Sequence, residues 1–156
     1  MIHLTPVTPV EAMQRCALFK EFTETGLKIL AGIAVSRATP AGTPLFVENM
    51  VGDSLLVVVD GRVTLSLKGR QNEDMLLGEI GPGDAIGELA LISTGQRQCT
   101  AMATTPVTFL EIRQSDFQKL MATKPQACLK LLMAICSTFG QKLLENRDAL
   151  KSLVRT

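Results

Sequence analysis

The sequence has a single histidine, His3, and none of its four cysteines (Cys16, Cys99, Cys128, Cys136) forms a Cys-x-x-Cys pair. A zinc site or a cysteine-ligated cluster therefore has no readable ligand set, and buried, reduced thiols are expected at all four. Excess charge is missing too, since 16 Lys+Arg against 15 Asp+Glu leave a formal +1. Such a chain has no field to attract a polyanion, so no direct nucleic-acid binding is expected. No basic-then-apolar leader opens it, and no apolar run approaches the roughly 20 residues of a membrane span. A cytoplasmic protein with no membrane contact is the expectation. Internal repeats and long Pro/Gly linkers are absent as well, which excludes a solenoid or a string of domains.

What is present suffices for one ordinary domain. Hydrophobic residues make up 46% of 156, against 20% charged, so a packed core is expected rather than disorder. Thr8-Pro9-Val10-Glu11 combines an N-cap threonine, proline at the first helical position and a glutamate three after the cap. That spacing predicts a short helix running towards Leu18 and Phe19. A second helical piece is expected around Thr25 to Leu30.

From Ile33 the pattern becomes strand-like. Pro40-Ala41-Gly42 reads as a turn, Leu45 to Val47 as a short strand, and Gly52-Asp53 as another turn. The apolar run Leu55 to Val59, Asp60-Gly61, and the alternation Val63, Leu65, Leu67 together predict a type I′ hairpin with one wet face. Gly69 to Asp74 is a further turn, Met75 to Ile80 a strand, and Gly81-Pro82-Gly83-Asp84 a turn. Short glycine-punctuated strands at this spacing suggest a sandwich or rolled barrel. A metal-dependent cupin enzyme would share that architecture, but its site needs several histidines, and His3 alone cannot supply them.

Ile86 to Ile92 reads as one or two helical turns whose N-terminal N–H groups could seat a phosphate. Arg97 follows after the Ser93-Thr94-Gly95 turn. A guanidinium can hold phosphate oxygens bidentately and a carboxylate such as Glu88 can accept from a sugar hydroxyl. On spacing alone, a plain Arg–Glu salt bridge is the favoured reading of the same two residues. Beyond them, Val107 to Ile112 reads as a strand. Ser115-Asp116-Phe117-Gln118 predicts a second capping box, opening a helix to about Ala122. Pro125 then suits the first position of a final helix.

Between Pro125 and Thr156, heptads place Leu129, Cys136, Leu143 and Leu150 at a, and Leu132, Phe139, Asn146 and Leu153 at d. Seven of these eight seam residues are apolar, the pattern of a coiled coil. The seam could fold back on its own domain or pair in parallel with a second copy. A helix of about 30 residues spans about 45 Å, more than such a domain covers, so a homodimer is expected, with Asn146 fixing register.

Several of these features occur together in one known family. Leu18-Phe19, Pro40-Ala41-Gly42, Gly52-Asp53-Ser54-Leu55, Gly61-Arg62-Val63 and Gly81-Pro82-Gly83-Asp84 fall in the order of the cyclic-nucleotide-binding domains of catabolite-activator-type regulators, kinase regulatory subunits and cyclic-nucleotide-gated channels. Gly87-Glu88-Leu89-Ala90-Leu91 followed by Arg97 resembles that family's phosphate-binding cassette. The resemblance covers roughly residues 15 to 122.

It implies a mainly β fold with flanking helices: a β-roll, or double-stranded jelly-roll-like β-helix, with short N-terminal helices, a cassette helix and a long C-terminal helix. Residues 1–124 would form the nucleotide-binding roll, and 125–156 the C-terminal helix, a dimerisation element or lid of the same domain. Carried over by position, Glu88 would hold the ribose 2′-hydroxyl and Arg97 the cyclic phosphate. Gly87 would admit the sugar-phosphate beside the Leu89 and Ala90 N–H groups, and Ile86 stands where phenylalanine is frequent.

The family's usual Pro-Arg-Ala-Ala-Thr is here Gln96-Arg97-Gln98-Cys99-Thr100. A threonine directly after the arginine accompanies cyclic GMP preference in the family. Gln98 both donates and accepts, leaving cyclic AMP as the expected ligand and cyclic GMP as the alternative. Leu143, Asn146 and Arg147 are candidates to reach the purine. No catalytic residue, metal or further cofactor is implied. The expected protein is a sensor that signals through its last helix to an unidentified effector. The alternative is a ligand-free interaction or dimerisation module that keeps the fold. Because the family's DNA-binding members continue with a helix-turn-helix, this chain is expected either to stand alone or to be a piece of a longer protein.

Overall fold

The computed structural model describes residues 6–148 and residue 151. Helix α1 (Pro9–Gln14) starts at the expected capping box, in which Thr8 Oγ1 accepts from the Glu11 N–H and the Glu11 carboxylate accepts from the Thr8 N–H. It is shorter than the sequence suggests: Ala17–Phe19 forms a separate 3-10 turn. Thr23 caps α2 (Glu24–Ala31), with its hydroxyl accepting from the Gly26 N–H at 3.1 Å.

Ten strands follow. They are β1 (Ala34–Thr39), β2 (Pro44–Phe46), β3 (Val51–Gly52), β4 (Ser54–Asp60), β5 (Val63–Lys68), β6 (Asp74–Ile80), β7 (Ala85–Ile86), β8 (Gly95–Gln96), β9 (Thr100–Ala103) and β10 (Val107–Arg113). Among the described residues they form two four-stranded antiparallel sheets, ordered β1-β10-β4-β7 and β2-β9-β5-β6, and a small β3-β8 pair. The roll expected from the sequence is present. Gly52, expected in a turn, lies instead in β3, paired with Gly95.

The expected hairpin at Asp60-Gly61 does not form. β4 pairs with β10 and β7 in one sheet, while β5 pairs with β6 and β9 in the other, so Asp60-Gly61 is a corner between sheets. A type I′ turn needs positive φ at both central residues, yet only Gly61 has it, at 96°. A side chain at Gly61 would also run into the Pro106 carbonyl. The true hairpin is β5–β6, closed by the polar loop 69–73.

The corner explains the unbroken Leu55-Leu56-Val57-Val58 run. Leu55 and Val57 face a core shared with the helices (Met13, Phe19, Leu30, Phe117, Leu131, Ile135). Leu56 and Val58 face a second core between the sheets (Phe46, Val63, Ile86, Ala101, Phe109). A strand buried on both faces reads as continuous hydrophobicity instead of alternation.

Helix α3 (Gln114–Thr123) begins one residue before Ser115, with Arg113 at its N-cap and no side-chain cap. The second capping box is therefore not made; the Gln114 N–H donates to the Asp53 carbonyl at 2.7 Å, which ties the helix start to the β3–β4 junction. Pro125 opens α4 (Pro125–Glu145), as expected. Asn146 is not a mid-helix seam residue but the C-cap, its side chain donating to the Lys142 carbonyl at 2.8 Å.

One face of α4 (Cys128, Leu131, Ile135) packs into the protein's own core. Of the expected seam, Leu129, Cys136, Phe139 and Leu143 are exposed, Leu132 is half-buried against the core, and Leu150 and Leu153 lie outside the described residues. Contrary to the expectation of no spanning-length apolar run, α4 has 21 residues and contains an 18-residue window of mean hydropathy 1.3, enough by length and composition to cross a bilayer. It packs against α3 and the core, where Cys128, Leu131 and Ile135 are buried. The cysteines are reduced, but only Cys16 and Cys128 are buried; Cys99 is half-buried and Cys136 exposed.

Candidate functional site

The site lies where β7 leaves the first sheet and the chain returns through β8. β7 is only two residues long because Gly87 follows it with φ 75°, a left-handed conformation that ends the strand and starts the 3-10 turn Glu88–Leu91. One helical turn is therefore present within the stretch Ile86 to Ile92, as expected, but it is a 3-10 turn, and Ile86 belongs to β7. Ala90 is not free to serve a ligand, since its N–H donates to the Gly87 carbonyl at 3.0 Å. The Glu88 and Leu89 N–H groups have no partner among the described residues.

Arg97 is fixed from three directions. Its own N–H donates to the Met50 carbonyl at 2.6 Å and its carbonyl accepts from the Asn49 N–H at 2.8 Å, which extends the β3–β8 ladder. Its Nη2 donates to Ser54 at both the carbonyl (2.9 Å) and the hydroxyl (3.1 Å). The guanidinium also stacks on Phe46, with Cζ 4.5 Å from the ring centroid, a favourable cation–π placement. The whole group is accommodated because Gly52 and Gly87 have no side chains. A β-carbon at Gly52 would overlap Nε, Cδ and Cζ of Arg97, and one at Gly87 would overlap Nη1.

The Arg97 side chain is buried, with only 9% of the residue exposed, and no carboxylate forms an ion pair with it among the described residues. Burial lowers its pKa, opposed by the charges of Asp53, Glu111 and Cys99. A guanidinium nonetheless stays protonated in a protein. The plain Glu88–Arg97 salt bridge, one of the two readings open on spacing, is therefore not made. Glu88 is held instead by Lys142 of α4, whose Nζ lies 3.1 Å from Glu88 Oε1.

Around these groups is a pocket of about 380 Å³. Ile86, Gly87, Glu88, Leu89, Ala90, Arg97, Gln98 and Cys99 all line it. Thr100 does not: it sits in β9, its hydroxyl accepting from the Glu48 N–H at 3.0 Å. Burial pushes the Cys99 thiol pKa up, the charge of Glu48 adds to this and that of Arg97 opposes it, which makes it a wall residue and not a thiolate.

Sequence reasoning missed Phe46, Gly52, Ser93 and Lys142 in the lining. The glycine motif could have pointed to Gly52, because close approach is a reason for glycine. Nothing local marks Lys142. Leu143, Asn146 and Arg147, the α4 residues expected near a base, do not line the pocket.

An uncompensated buried cation, a nearby carboxylate and an apolar wall suit a small anionic ligand with a hydroxyl. The relatives agree with that chemistry. The family model for the cyclic nucleotide-binding domain matches residues 36–124. A cyclic nucleotide-gated potassium channel of Rhizobium etli is 31% identical over 83% of this chain and 33% of its own length. A cyclic AMP receptor protein of Thermus thermophilus is 29% identical over 70% of this chain and 50% of its own. The chain thus spans a third to a half of these two curated relatives. Among solved structures, the N-terminal domain of a transcriptional regulator from Streptomyces coelicolor A3(2) superposes with a TM-score of 0.76 at 29% identity, covering 89% of this chain and 94% of that one. With its roll, its cassette glycine and its buried arginine, the chain belongs to the cyclic nucleotide-binding domain family.

Proposed function

We propose that the protein is a cytoplasmic cyclic-nucleotide sensor, binding cyclic AMP in preference to cyclic GMP and signalling through α4 to a separate effector. The observation that carries this reading is Arg97: a buried cation is costly unless an anion meets it, and the side of the guanidinium not held by Ser54 faces the pocket. A cyclic phosphate at Nη1 and Nε would supply the missing charge as a charge-assisted, bidentate contact. The ribose 2′-hydroxyl would donate to Glu88, the purine would lie against the apolar wall, and Gln98, with no threonine in its place, leaves cyclic AMP the better fit.

The signal follows from the packing. Leu91, in the cassette turn, belongs to the same core as Leu131 and Ile135 of α4. When the ligand draws the cassette onto its phosphate, Leu89, Leu91 and Ile92 shift against α4. Only a difference in affinity between the two arrangements can drive this, typically about 1–3 kcal/mol. No catalytic step is involved. The exposed stripe Leu129, Met133, Cys136, Phe139 and Leu143 would pair with a second copy in a homodimer.

A ligand-free interaction module is the competing reading, favoured by Gln98 after the arginine. Calorimetric titration with both nucleotides, repeated on Arg97→Ala, separates the two.

A further inference from the structure

One carboxylate oxygen of Glu88, Oε1, is already engaged. The carboxylate, mostly shielded with 16% of the side chain exposed, accepts from Lys142, and this contact bridges 54 positions of sequence to join the cassette turn to the last full turn of α4. Lys142 is the residue of α4 that lines the pocket. An ammonium offers donors only, and a sugar hydroxyl can donate as well as accept, so both can donate to the Glu88 carboxylate, which Lys142 meets at Oε1.

We propose that Lys142 is a specificity-determining residue that competes with the ligand's sugar hydroxyl for Glu88, so that binding of a ribose 2′-hydroxyl unlatches the C-terminal turn of α4 from the cassette. This rests on the nucleotide-binding reading above. The ammonium stands at the pocket wall where the sugar edge must enter, and a hydroxyl reaching Glu88 Oε1 takes the position of Lys142 Nζ. A ligand lacking the hydroxyl leaves the ion pair in place and gains nothing at Glu88. The contact therefore gives α4 a means of distinguishing a ribonucleotide from its deoxy analogue, independent of the phosphate at Arg97. The Lys142 side chain is 57% exposed, so on its side the pair is held in reach of water, where ion pairs contribute little.

The test compares Lys142→Met, which keeps the apolar stem and removes the charge, with the parent and with Lys142→Arg. Titrations use cyclic AMP and 2′-deoxy cyclic AMP; hydrogen exchange of residues 139–148 is followed in the ligand-free proteins. Expected for Lys142→Met is an increase of about threefold in the preference for cyclic AMP over the deoxy analogue, the gain lying in cyclic AMP affinity. Faster exchange of 139–148 is also expected, with both changes reversed in Lys142→Arg. An unchanged or smaller preference overturns the proposal, as does unchanged exchange. Failure of the parent to bind either nucleotide would instead overturn the underlying reading, and the exchange rates would still report on the latch.

Discussion

Gly52 provides the space that Arg97 occupies: a β-carbon on that glycine would coincide with the guanidinium side chain, although 45 residues separate the two. The buried cation is thus held by the absence of a side chain on β3 as much as by the Ser54 contacts. The relationship makes Gly52 part of the ligand site without any atom of its own that a ligand need touch.

Gly52→Ala should displace the guanidinium from Ser54 and Phe46. Cyclic AMP affinity is expected to fall at least about tenfold, since a misplaced charged donor forfeits a contact of about 1.5–3 kcal/mol. Calorimetry of the variant checks this, with the thermal midpoint showing that the domain is still folded.

Glu111 gives the acid limb of stability. Burial favours its neutral form, but hydrogen bonds from Arg113, Arg37 and Ser54 outweigh this and hold its pKa below the ordinary carboxylate value. A depressed folded pKa contributes stability that is complete above the unfolded value and lost as pH falls through the folded one. Denaturant midpoints measured from pH 6 down to about pH 3 should therefore fall, and the slope should be shallower in Glu111→Gln.

Phe139 tests the open face of α4. It is 45% exposed in a stripe with Leu129 and Met133, and an apolar helix face of this kind normally meets a partner. Sedimentation should show the parent as a dimer and Phe139→Glu as a monomer. A monomeric parent would end the homodimer reading.

How far the sequence could be read depended on the range of each interaction. The Thr8 capping box was legible because all its groups lie within four residues, and Gly87 with Arg97 because a motif carries both. Asp60-Gly61 misled because turn chemistry reports a reversal of direction but not which strand lies alongside; β10, some 50 residues on, takes the place of β5 beside β4. Ser115 looked like a cap, yet the Asp53 carbonyl captured the Gln114 N–H first. Lys142 was invisible for the same reason: its partner Glu88 is brought to it by the packing of α4 on the core, and no local pattern encodes that distance. The neighbouring residues chosen from the helix, Leu143, Asn146 and Arg147, lie one, four and five positions beyond Lys142.

The most direct measurement is isothermal titration of the parent and Arg97→Ala with cyclic AMP and cyclic GMP. The account predicts that the parent binds cyclic AMP more tightly than cyclic GMP and well below millimolar. Arg97→Ala should lose about a hundredfold, as expected when one partner of a desolvated charge pair is removed. Absence of binding to both nucleotides in the parent would contradict the sensor, and tight binding unaffected by Arg97→Ala would contradict the assignment of the phosphate to Arg97.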